Sequence, residues 1–260
     1  MRFPLLHLAS TRRTGAALIL ALATLVAGCT PNTSGEAIFD PYEKQNRNVH
    51  AFNKRVDSGM GGGKGGGIGK AIPAPVTQGL SNISTNFSQP SYMMNHLLQG
   101  NMESAMRNFW RVAVNTTVGI GGIFDPATRI GLHDDATDFG VTLAKAGVPE
   151  GAYIELPILG PSTERDVAGK VLDTLLNPLQ GVIAAEDQRK ITVIRVLSRA
   201  GDRAKYSETV DSVLYDSADS YAQARIIYLQ NRRGQTGDTE AAEAEADEVY
   251  DSYEDFYGSQ

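Results

Sequence analysis

Residues 163–178, TERDVAGKVLDTLLNP, contain the signals of a short amphipathic helix. Thr163 is a favoured N-cap residue, and Asp166 follows three positions later in a pattern that resembles a capping box. The pair Asn177-Pro178 predicts the end of the helix, because proline disfavours the helical conformation of the residue before it. Between these limits apolar residues recur at helical spacing and predict one stripe: Val167, Val171, Leu172, Leu175 and Leu176.

Segments on both sides of this helix show the same periodicity. Asp40-Pro41 predicts a helix start, with Asp40 as the N-cap and proline in the first turn, and residues 42–56 contain no breaker. Residues 101–118 have apolar side chains at helical spacing: Met102, Ala105, Met106, Phe109, Val112 and Ala113. The same spacing predicts further helices at residues 191–197 and within residues 206–229.

The predicted fold class is therefore all-α, with a single domain over residues 41–233. Residues 58–70 are dense in glycine and low in complexity, which predicts a flexible loop inside this domain. Glycine and proline mark the turns between helices, at residues 119–126, 147–151 and 157–161.

The N-terminus has the pattern of an export signal. Basic residues precede an apolar run that is short for a membrane span, so residues 1–28 are predicted to be a signal peptide. The run ends in Val26-Ala27-Gly28-Cys29, which resembles the lipobox of bacterial lipoproteins and predicts lipidation of Cys29. Residues 29–40 would then form a lipidated tether. In lipoproteins of this type an aspartate directly after the lipidated cysteine commonly retains the protein in the inner membrane, so Thr30 at this position indicates the outer membrane. The alternative is an ordinary signal peptide followed by a chance cysteine.

Charge divides the chain into a neutral body and an acidic end. Basic and acidic residues balance between Thr30 and Arg233, which argues against nucleic-acid binding, since that needs a basic face. Residues 234–260 are acidic without lysine or arginine and are predicted to be a disordered tail. Its aromatic residues leave open a short docking motif: Tyr250, Tyr253, Phe256 and Tyr257.

No catalytic or metal-binding motif is found in the sequence. The glycines of residues 58–70 match a dinucleotide fingerprint only by their density, with no apolar strand before them. Cys29 is the single cysteine, so a disulfide or thiolate metal site is excluded. His133-Asp134-Asp135 would have donors for a cation, but a polar surface loop explains the same residues. No cofactor is predicted apart from the lipid groups on Cys29.

Ordered segments of the domain resemble the MlaA (VacJ) family of outer-membrane lipoproteins. The resemblance starts at Asp40-Pro41-Tyr42-Glu43 and continues through Gly119-Ile120-Gly121-Gly122-Ile123-Phe124-Asp125. It includes the run Gly151-Ala152-Tyr153-Ile154-Glu155-Leu156-Pro157-Ile158-Leu159-Gly160-Pro161-Ser162 and ends at Tyr228-Leu229-Gln230. About 190 residues match in a consistent order, which is more specific than any single motif.

The resemblance implies a lipid transporter component and not an enzyme. Family members are all-helical rings or discs in the inner leaflet of the outer membrane. An amphipathic channel through the ring takes phospholipid mislocalised in the outer leaflet toward the periplasm. There it passes to a soluble carrier, MlaC, and the family also associates with trimeric porins. Residues 58–70 depart from the family, whose members are more apolar and aromatic there, so contact of this stretch with membrane or porin is in doubt.

Twelve residues are candidates for the lipid path or its gating. In the first matched helix Phe52 would touch lipid and Asn46-Arg47 would meet head groups, although core packing and structural hydrogen bonds explain them equally well. The glycines of the two matched loops would permit gating movements or would only form turns. The full set is Asn46, Arg47, Phe52, Asn53, Gly119, Gly121, Gly122, Phe124, Gly147, Tyr153, Pro157 and Gly160.

Two other function classes remain open at this stage. A structural envelope lipoprotein would have the same anchor without a transport role. A lipid-acting enzyme would need a nucleophile or an acid–base pair, which the sequence does not show.

Overall fold

The computed structural model describes Thr30, Asn32 and residues 38–63, 68–179 and 182–238. The predicted signal peptide, Cys29, residues 64–67 and the tail after Asp238 lie outside this part of the chain. The described residues are mostly helical, which confirms the predicted fold class. Nine α-helices occur there: α1 Glu43–Gly59, α2 Ala74–Leu98, α3 Met102–Thr117, α4 Pro126–Arg129, α5 Phe139–Lys145, α6 Glu164–Leu175, α7 Ala185–Lys205, α8 Ser207–Asp211 and α9 Ser220–Thr236.

Three short elements accompany the helices. A 3₁₀ turn, Ile68–Ala71, precedes α2, and a π-helical turn, Ser212–Asp216, follows α8. Strands β1 (Tyr153–Leu156) and β2 (Gly160–Thr163) form an antiparallel hairpin, with Tyr153 opposite Thr163. The hairpin corrects the prediction of an irregular loop between Gly147 and Pro161. Four-residue strands are too short to show a clear period in the sequence.

Helix α6 begins and ends where the capping pattern predicted. The Thr163 hydroxyl accepts a hydrogen bond from the backbone N–H of Asp166 at 3.2 Å, and the helix ends at Leu175, just before Asn177-Pro178. The α3 helix is also confirmed, and its N-terminus is capped by the side chain of Asn101, which accepts from Ser104 N–H at 3.1 Å.

Two predicted boundaries are corrected. Asp40 does not cap α1, which begins at Glu43 after Tyr42. The Asp40 carboxylate instead accepts from Asn46 at 2.9 Å and pairs with Arg225 at 2.6 Å, because a buried charge is held more strongly by ionic partners than by backbone N–H groups. At the other end α9 continues to Thr236, three residues into the predicted tail, and ends at Gly237 with φ of 79°.

The predicted flexible loop is only partly irregular. Residue 58 and Gly59 belong to α1, and residues 60–63 form turns whose Gly62 packs against the Asp57 carboxylate. After the gap in the described chain, Gly69 packs so closely on the carbonyl of Ala200 that a Cβ atom would lie 1.9 Å from its oxygen. At these positions glycine allows close packing as well as conformational freedom of the backbone.

Six elements contact one another in a closed circuit. Helix α2 packs against α7, α7 against α8, and α8 against the π-helical turn. The turn contacts α9, α9 contacts α5, and α5 returns to α2. Two small apolar clusters lie within this arrangement. The first joins α5 to α6 and the second joins the hairpin to α9: Phe139, Leu143, Ala168 and Leu172, then Tyr153, Tyr221 and Leu229.

Among the described residues, none of the helices has both the length and the apolar character needed to span a bilayer.

Candidate functional site

A polar cavity of about 590 Å³ lies between α2, the end of α6 and α7. Helix α2 lines it with hydroxyl groups three or four residues apart, so that they share one helical face. These residues are Ser81, Ser84, Thr85, Ser88 and Ser91. Helix α7 supplies polar side chains to the same cavity: Gln188, Thr192, Arg195, Arg199 and Asp202. The volume is within the range of about 300–1,000 Å³ that is usual for ligand pockets.

Two carboxylates of the cavity are held by neighbouring groups. Asp173 accepts from the side chain of Asn95 at 3.0 Å and from the backbone N–H of Phe139 at 3.1 Å, and burial raises its pKa despite these bonds. Asp138 pairs with Arg232, whose two terminal nitrogens donate at 2.6 and 2.8 Å. The cavity wall thus combines fixed acids with hydroxyl and guanidinium groups.

A second cavity, of about 710 Å³, lies between the hairpin, the π-helical turn and α9. Its lining is mainly apolar: Leu159, Val210, Val213, Leu214 and Ile227. Lys170 also lines this cavity and donates to the Ser162 hydroxyl at 2.7 Å, and burial lowers its pKa. Asp138 lines both cavities, which therefore lie next to each other in the structure.

The inner face of α3 is polar and buried. Arg111 is only 2% exposed, and its guanidinium lies 3.1 Å from Asp125 and 2.9 Å from the Thr128 hydroxyl. Asn115 donates to the same carboxylate at 2.9 Å. Burial alone would raise the pKa of Asp125, but the hydrogen bonds from Thr128, Asn115 and Arg111 together lower it. This network joins α3 to α4 through polar contacts.

The outer face of α3 is apolar. Trp110 is 52% exposed, and its ring meets that of Phe109 edge to face at 5.2 Å between centroids. Apolar side chains of the following loop are also exposed, so the two segments form one surface, the α3 apolar face: Met102, Met106, Phe109, Trp110, Val118, Ile120, Ile123 and Phe124. The apolar spacing in α3 was correctly predicted, but its large residues Met102, Met106 and Phe109 are exposed, whereas Ala105 is buried.

The four candidates on α1 have different environments. Asn46 is buried and donates to the Tyr153 carbonyl at 3.0 Å, which fits the alternative of a structural hydrogen bond. Arg47 is exposed and pairs with Glu43 and Asp219. Phe52 is 41% exposed.

Asn53 connects α1 to the hairpin. Its amide nitrogen donates to the Leu156 carbonyl at 2.9 Å, and its oxygen accepts from Ile158 N–H at 2.7 Å.

The glycines of the first matched loop fill two needs. Gly121 and Gly122 have φ of 68° and 92°, where side chains are disfavoured, and a Cβ on Gly122 would lie 2.8 Å from Asn86. A Cβ on Gly119 would lie 2.4 Å from the Phe124 carbonyl oxygen. Ile120, between them, also has a positive φ of 54°, and Phe124 is exposed.

The candidates in the second matched segment lie in the hairpin or close to it in sequence. Tyr153 is 1% exposed and donates to Glu155 at 2.6 Å, and burial raises the pKa of its hydroxyl. It belongs to the core and does not line either cavity. Gly147 and Gly160 have positive φ at turns, and Pro157 is exposed where the hairpin turns.

The sequence did not identify the hydroxyl stripe of α2 or the arginines of α7. The pattern Ser81, Ser84, Ser88 and Ser91 has helical spacing, but it marks a polar stripe and not an apolar one. The proposed cation residues are engaged elsewhere: Asp134 accepts from Gln89 at 2.6 Å and Asp135 from Ser104 at 2.6 Å. The described residues contain no group of three or more His, Cys, Asp or Glu side chains arranged for a metal ion.

These features define a class of helical protein with a polar interior, an adjoining apolar cavity and an apolar outer face. The chain belongs to the MlaA lipoprotein family, whose model matches residues 38–235. The resemblance seen in the sequence is thereby confirmed.

Relatives and a solved structure agree with this assignment. The intermembrane phospholipid transport system lipoproteins MlaA of Shigella flexneri and Escherichia coli are 33% and 32% identical, and each alignment covers 81% of this chain and 84% of the relative. A protein of Rickettsia prowazekii is 36% identical over 72% of this chain and 74% of its own length. A solved structure described as the basis for maintenance of bacterial outer membrane lipid asymmetry superposes with a TM-score of 0.63 and 27% identity, covering 76% of this chain and 98% of that one.

Proposed function

We propose that this protein is an outer-membrane lipoprotein that removes mislocalised phospholipid from the outer leaflet and passes it toward the periplasm. The observation that carries the proposal is that a cavity rich in polar side chains and a mainly apolar cavity share Asp138 in their linings. A phospholipid needs hydrogen-bonding groups for its head and apolar surface for its tails. The two adjoining linings offer both kinds of surface within one molecule.

The helical circuit supports a ring as the form of the transport body. The contacts from α2 through α7, α8, the π-helical turn, α9 and α5 return to α2, and both cavities are lined by members of this circuit. The α3 apolar face fits a position in the inner leaflet, since amphipathic helices place such faces in the acyl region. Cleavage before Cys29 and its lipidation would fix the body there.

The hairpin is proposed to gate the path. Its residue Leu159 lines the apolar cavity, and Asn53 ties the turn to α1 through two backbone hydrogen bonds. Ile158 has a positive φ of 67° and is 74% exposed, a costly conformation for a β-branched residue. Strain of this kind is often found at moving elements.

The partners follow from the direction of transport. A soluble MlaC-like periplasmic carrier would receive the phospholipid, and a trimeric porin would hold the body in the outer membrane. The transport needs no bond to be made or broken, so no catalytic residue is assigned.

The decisive experiment measures surface phospholipid in a strain that lacks the gene. The wild-type chain should restore a low level, whereas Ser88→Trp should not, because the indole fills the polar cavity. Gln223→Trp, on an exposed position of α9 outside both cavity linings, is the matched control and should restore it. If deletion leaves surface phospholipid unchanged, the protein is a structural envelope lipoprotein and the proposal is wrong.

The anchor is tested separately. Cys29→Ala should leave an uncleaved, unlipidated precursor that is lost from the outer-membrane fraction. Normal fractionation of this variant, together with insensitivity of the wild type to an inhibitor of the lipoprotein signal peptidase, would contradict the proposed lipidation.

A further inference from the structure

Two arginines of the polar cavity have no anionic partner in the described part of the chain. Arg195 and Arg199 are four residues apart on α7, so they lie on the same helical face, and both line the cavity. The described residues provide neither of them with an ion pair or a hydrogen bond. The more buried arginines elsewhere each pair with a carboxylate: Arg111, Arg203, Arg225, Arg232 and Arg233.

Within the described residues, none of the acids of the cavity forms an ion pair with either arginine. Asp138 shares Arg232 with Asp166, and Asp173 accepts hydrogen bonds from Asn95 and from the backbone N–H of Phe139. Asp202 remains as one carboxylate beside two guanidinium groups, and it forms no ion pair within the described residues. The α7 wall therefore has an excess positive charge with free N–H donors.

The opposite wall offers hydroxyl groups. Ser84, Thr85 and Ser88 of α2 line the cavity across from α7. Arg195 and Tyr92 of α2 line the same cavity. An anion between the helices would thus meet guanidinium donors on one side and the hydroxyl groups of Ser84 and Thr85 on the other, whereas the Ser88 hydroxyl donates to the Ser84 carbonyl at 3.1 Å.

We propose that Arg195 and Arg199, with the α2 hydroxyl stripe, form a binding step for the phosphodiester of a phospholipid head group. Guanidinium groups bind phosphate oxygens through charge-assisted and often bidentate hydrogen bonds. The glycerol and tails would extend toward the apolar cavity past Asp138. This inference rests on the proposed function and adds the residues that recognise the lipid.

The test is equilibrium binding of dihexanoyl phosphatidylglycerol to the full chain in detergent, measured by titration calorimetry. The double variant Arg195→Gln/Arg199→Gln should bind at least roughly tenfold more weakly, since hydrogen bonds to charged groups are the stronger class. Arg189→Gln, on an exposed position of α7 outside the cavity lining, should bind as the wild type does. The double lysine variant should recover part of the affinity, because it keeps the charges but not the bidentate geometry.

Two further ligands separate the sources of the phosphate chemistry. Dihexanoylglycerol, which lacks phosphate, should bind the wild type and the double glutamine variant equally. If inorganic phosphate binds as tightly as the lipid, the arginines form a general anion site and the inference is overturned.

Failure of the inference can be distinguished from failure of the proposed function. A double glutamine variant that binds within twofold of the wild type, while Ser88→Trp abolishes binding, overturns the role of the arginines and leaves the cavity as the lipid path. If Ser88→Trp, folded by circular dichroism, also binds normally, the cavity is not the path and both proposals are wrong.

Discussion

The two halves of the described chain bury different kinds of side chain. In residues 38–138 the buried side chains are polar, apart from Ala105 and Ala127. In residues 139–238 the buried set includes large apolar residues, among them Phe139, Leu172 and Leu229. The first half also exposes the α3 apolar face. Its helices are therefore held together by polar networks, whereas the second half has conventional apolar clusters.

This difference indicates whether the apolar side chains of each half are buried inside the protein or exposed to an apolar environment. In water the hydrophobic effect drives apolar side chains inward, as in the contact of α5 with α6. A helix such as α3, with Arg111 inside and Trp110 outside, gains nothing from that force, but it fits an apolar environment in which internal polar groups must be satisfied. The pattern agrees with the proposed leaflet position of the α3 apolar face.

The largest expected effect comes from breaking the polar network of the first half. Arg111→Ala should lower the free energy of unfolding by about 3–5 kcal/mol, because it removes a buried guanidinium that bridges Asp125, the Thr128 hydroxyl and the Leu132 carbonyl. Denaturant unfolding in detergent, followed by circular dichroism, measures it. Arg107→Ala is the control: its side chain is one-third exposed, so the loss should be within about 1 kcal/mol. Equal losses from the two variants would show that the inner network is not what holds α3.

The second half should respond as an apolar core does. Leu172→Ala removes a side chain that is 2% exposed and should cost about 2–5 kcal/mol through lost burial and the cavity left behind. Leu175 lies about one helical turn after Leu172 and is 61% exposed, so Leu175→Ala should lower the free energy of unfolding far less. The same unfolding assay applies, and a larger loss from Leu175 than from Leu172 would reverse the assignment of inside and outside on α6.

The same contrast shows what the sequence could predict. Helices α6 and α3 were predictable because their caps and apolar spacing are local features. Helix α2 was not predicted, since its inner face repeats serine and asparagine and its centre contains Pro90. Periodicity also gives the spacing of apolar residues, but it does not tell whether the apolar face of a helix packs against the rest of the protein or is exposed. The exposure of the α3 apolar face was therefore not predicted.

The candidate site was predictable to a smaller extent. The glycines of the first loop were identified, and two of them have the positive φ that only glycine adopts readily. The burial of Asn46 and Tyr153 could not be predicted, because it depends on hydrogen-bond partners more than 100 residues away in sequence. Arg195 and Arg199 were missed for the converse reason: their lack of a partner among the described residues depends on the packing of α7 against α2.

Acid should weaken the ionic contact between Asp166 and Arg232 in the second half. The loss of stability should be smaller than that from the two substitutions above, because titration changes one charge without removing atoms. Burial alone would raise the pKa of Asp166, but Arg232 and Tyr228 overcome it and hold the pKa below its usual value. A depressed folded-state pKa means that the stabilisation is complete above the unfolded pKa of about 3.9 and is lost as pH falls through the folded value.

The midpoint temperature of thermal unfolding should therefore decrease when the pH is lowered below about 4. The variant Asp166→Asn should be less stable than the wild type at pH 7, and its midpoint temperature should change less as the pH falls. Glu208→Gln, at an exposed position of α8, should keep the wild-type profile. An Asp166→Asn profile as steep as that of the wild type would place the acid sensitivity elsewhere.

The smallest effect on stability is expected on the α3 apolar face, where the comparison between the halves is most sharply tested. Trp110→Ser should change the free energy of unfolding in detergent by no more than about 0.5 kcal/mol, because the ring is half exposed and supports no core. Its effect should appear instead in membrane binding, measured by flotation with liposomes in the Cys29→Ala background, where no acyl anchor conceals it. Loss of the indole area should weaken binding by roughly threefold to tenfold, whereas Trp110→Phe, which keeps most of the apolar area, should bind nearly as the parent does. If Trp110→Ser floats as well as the parent, the apolar exterior does not contact lipid, and the polar interior of the first half would need a partner protein to explain it.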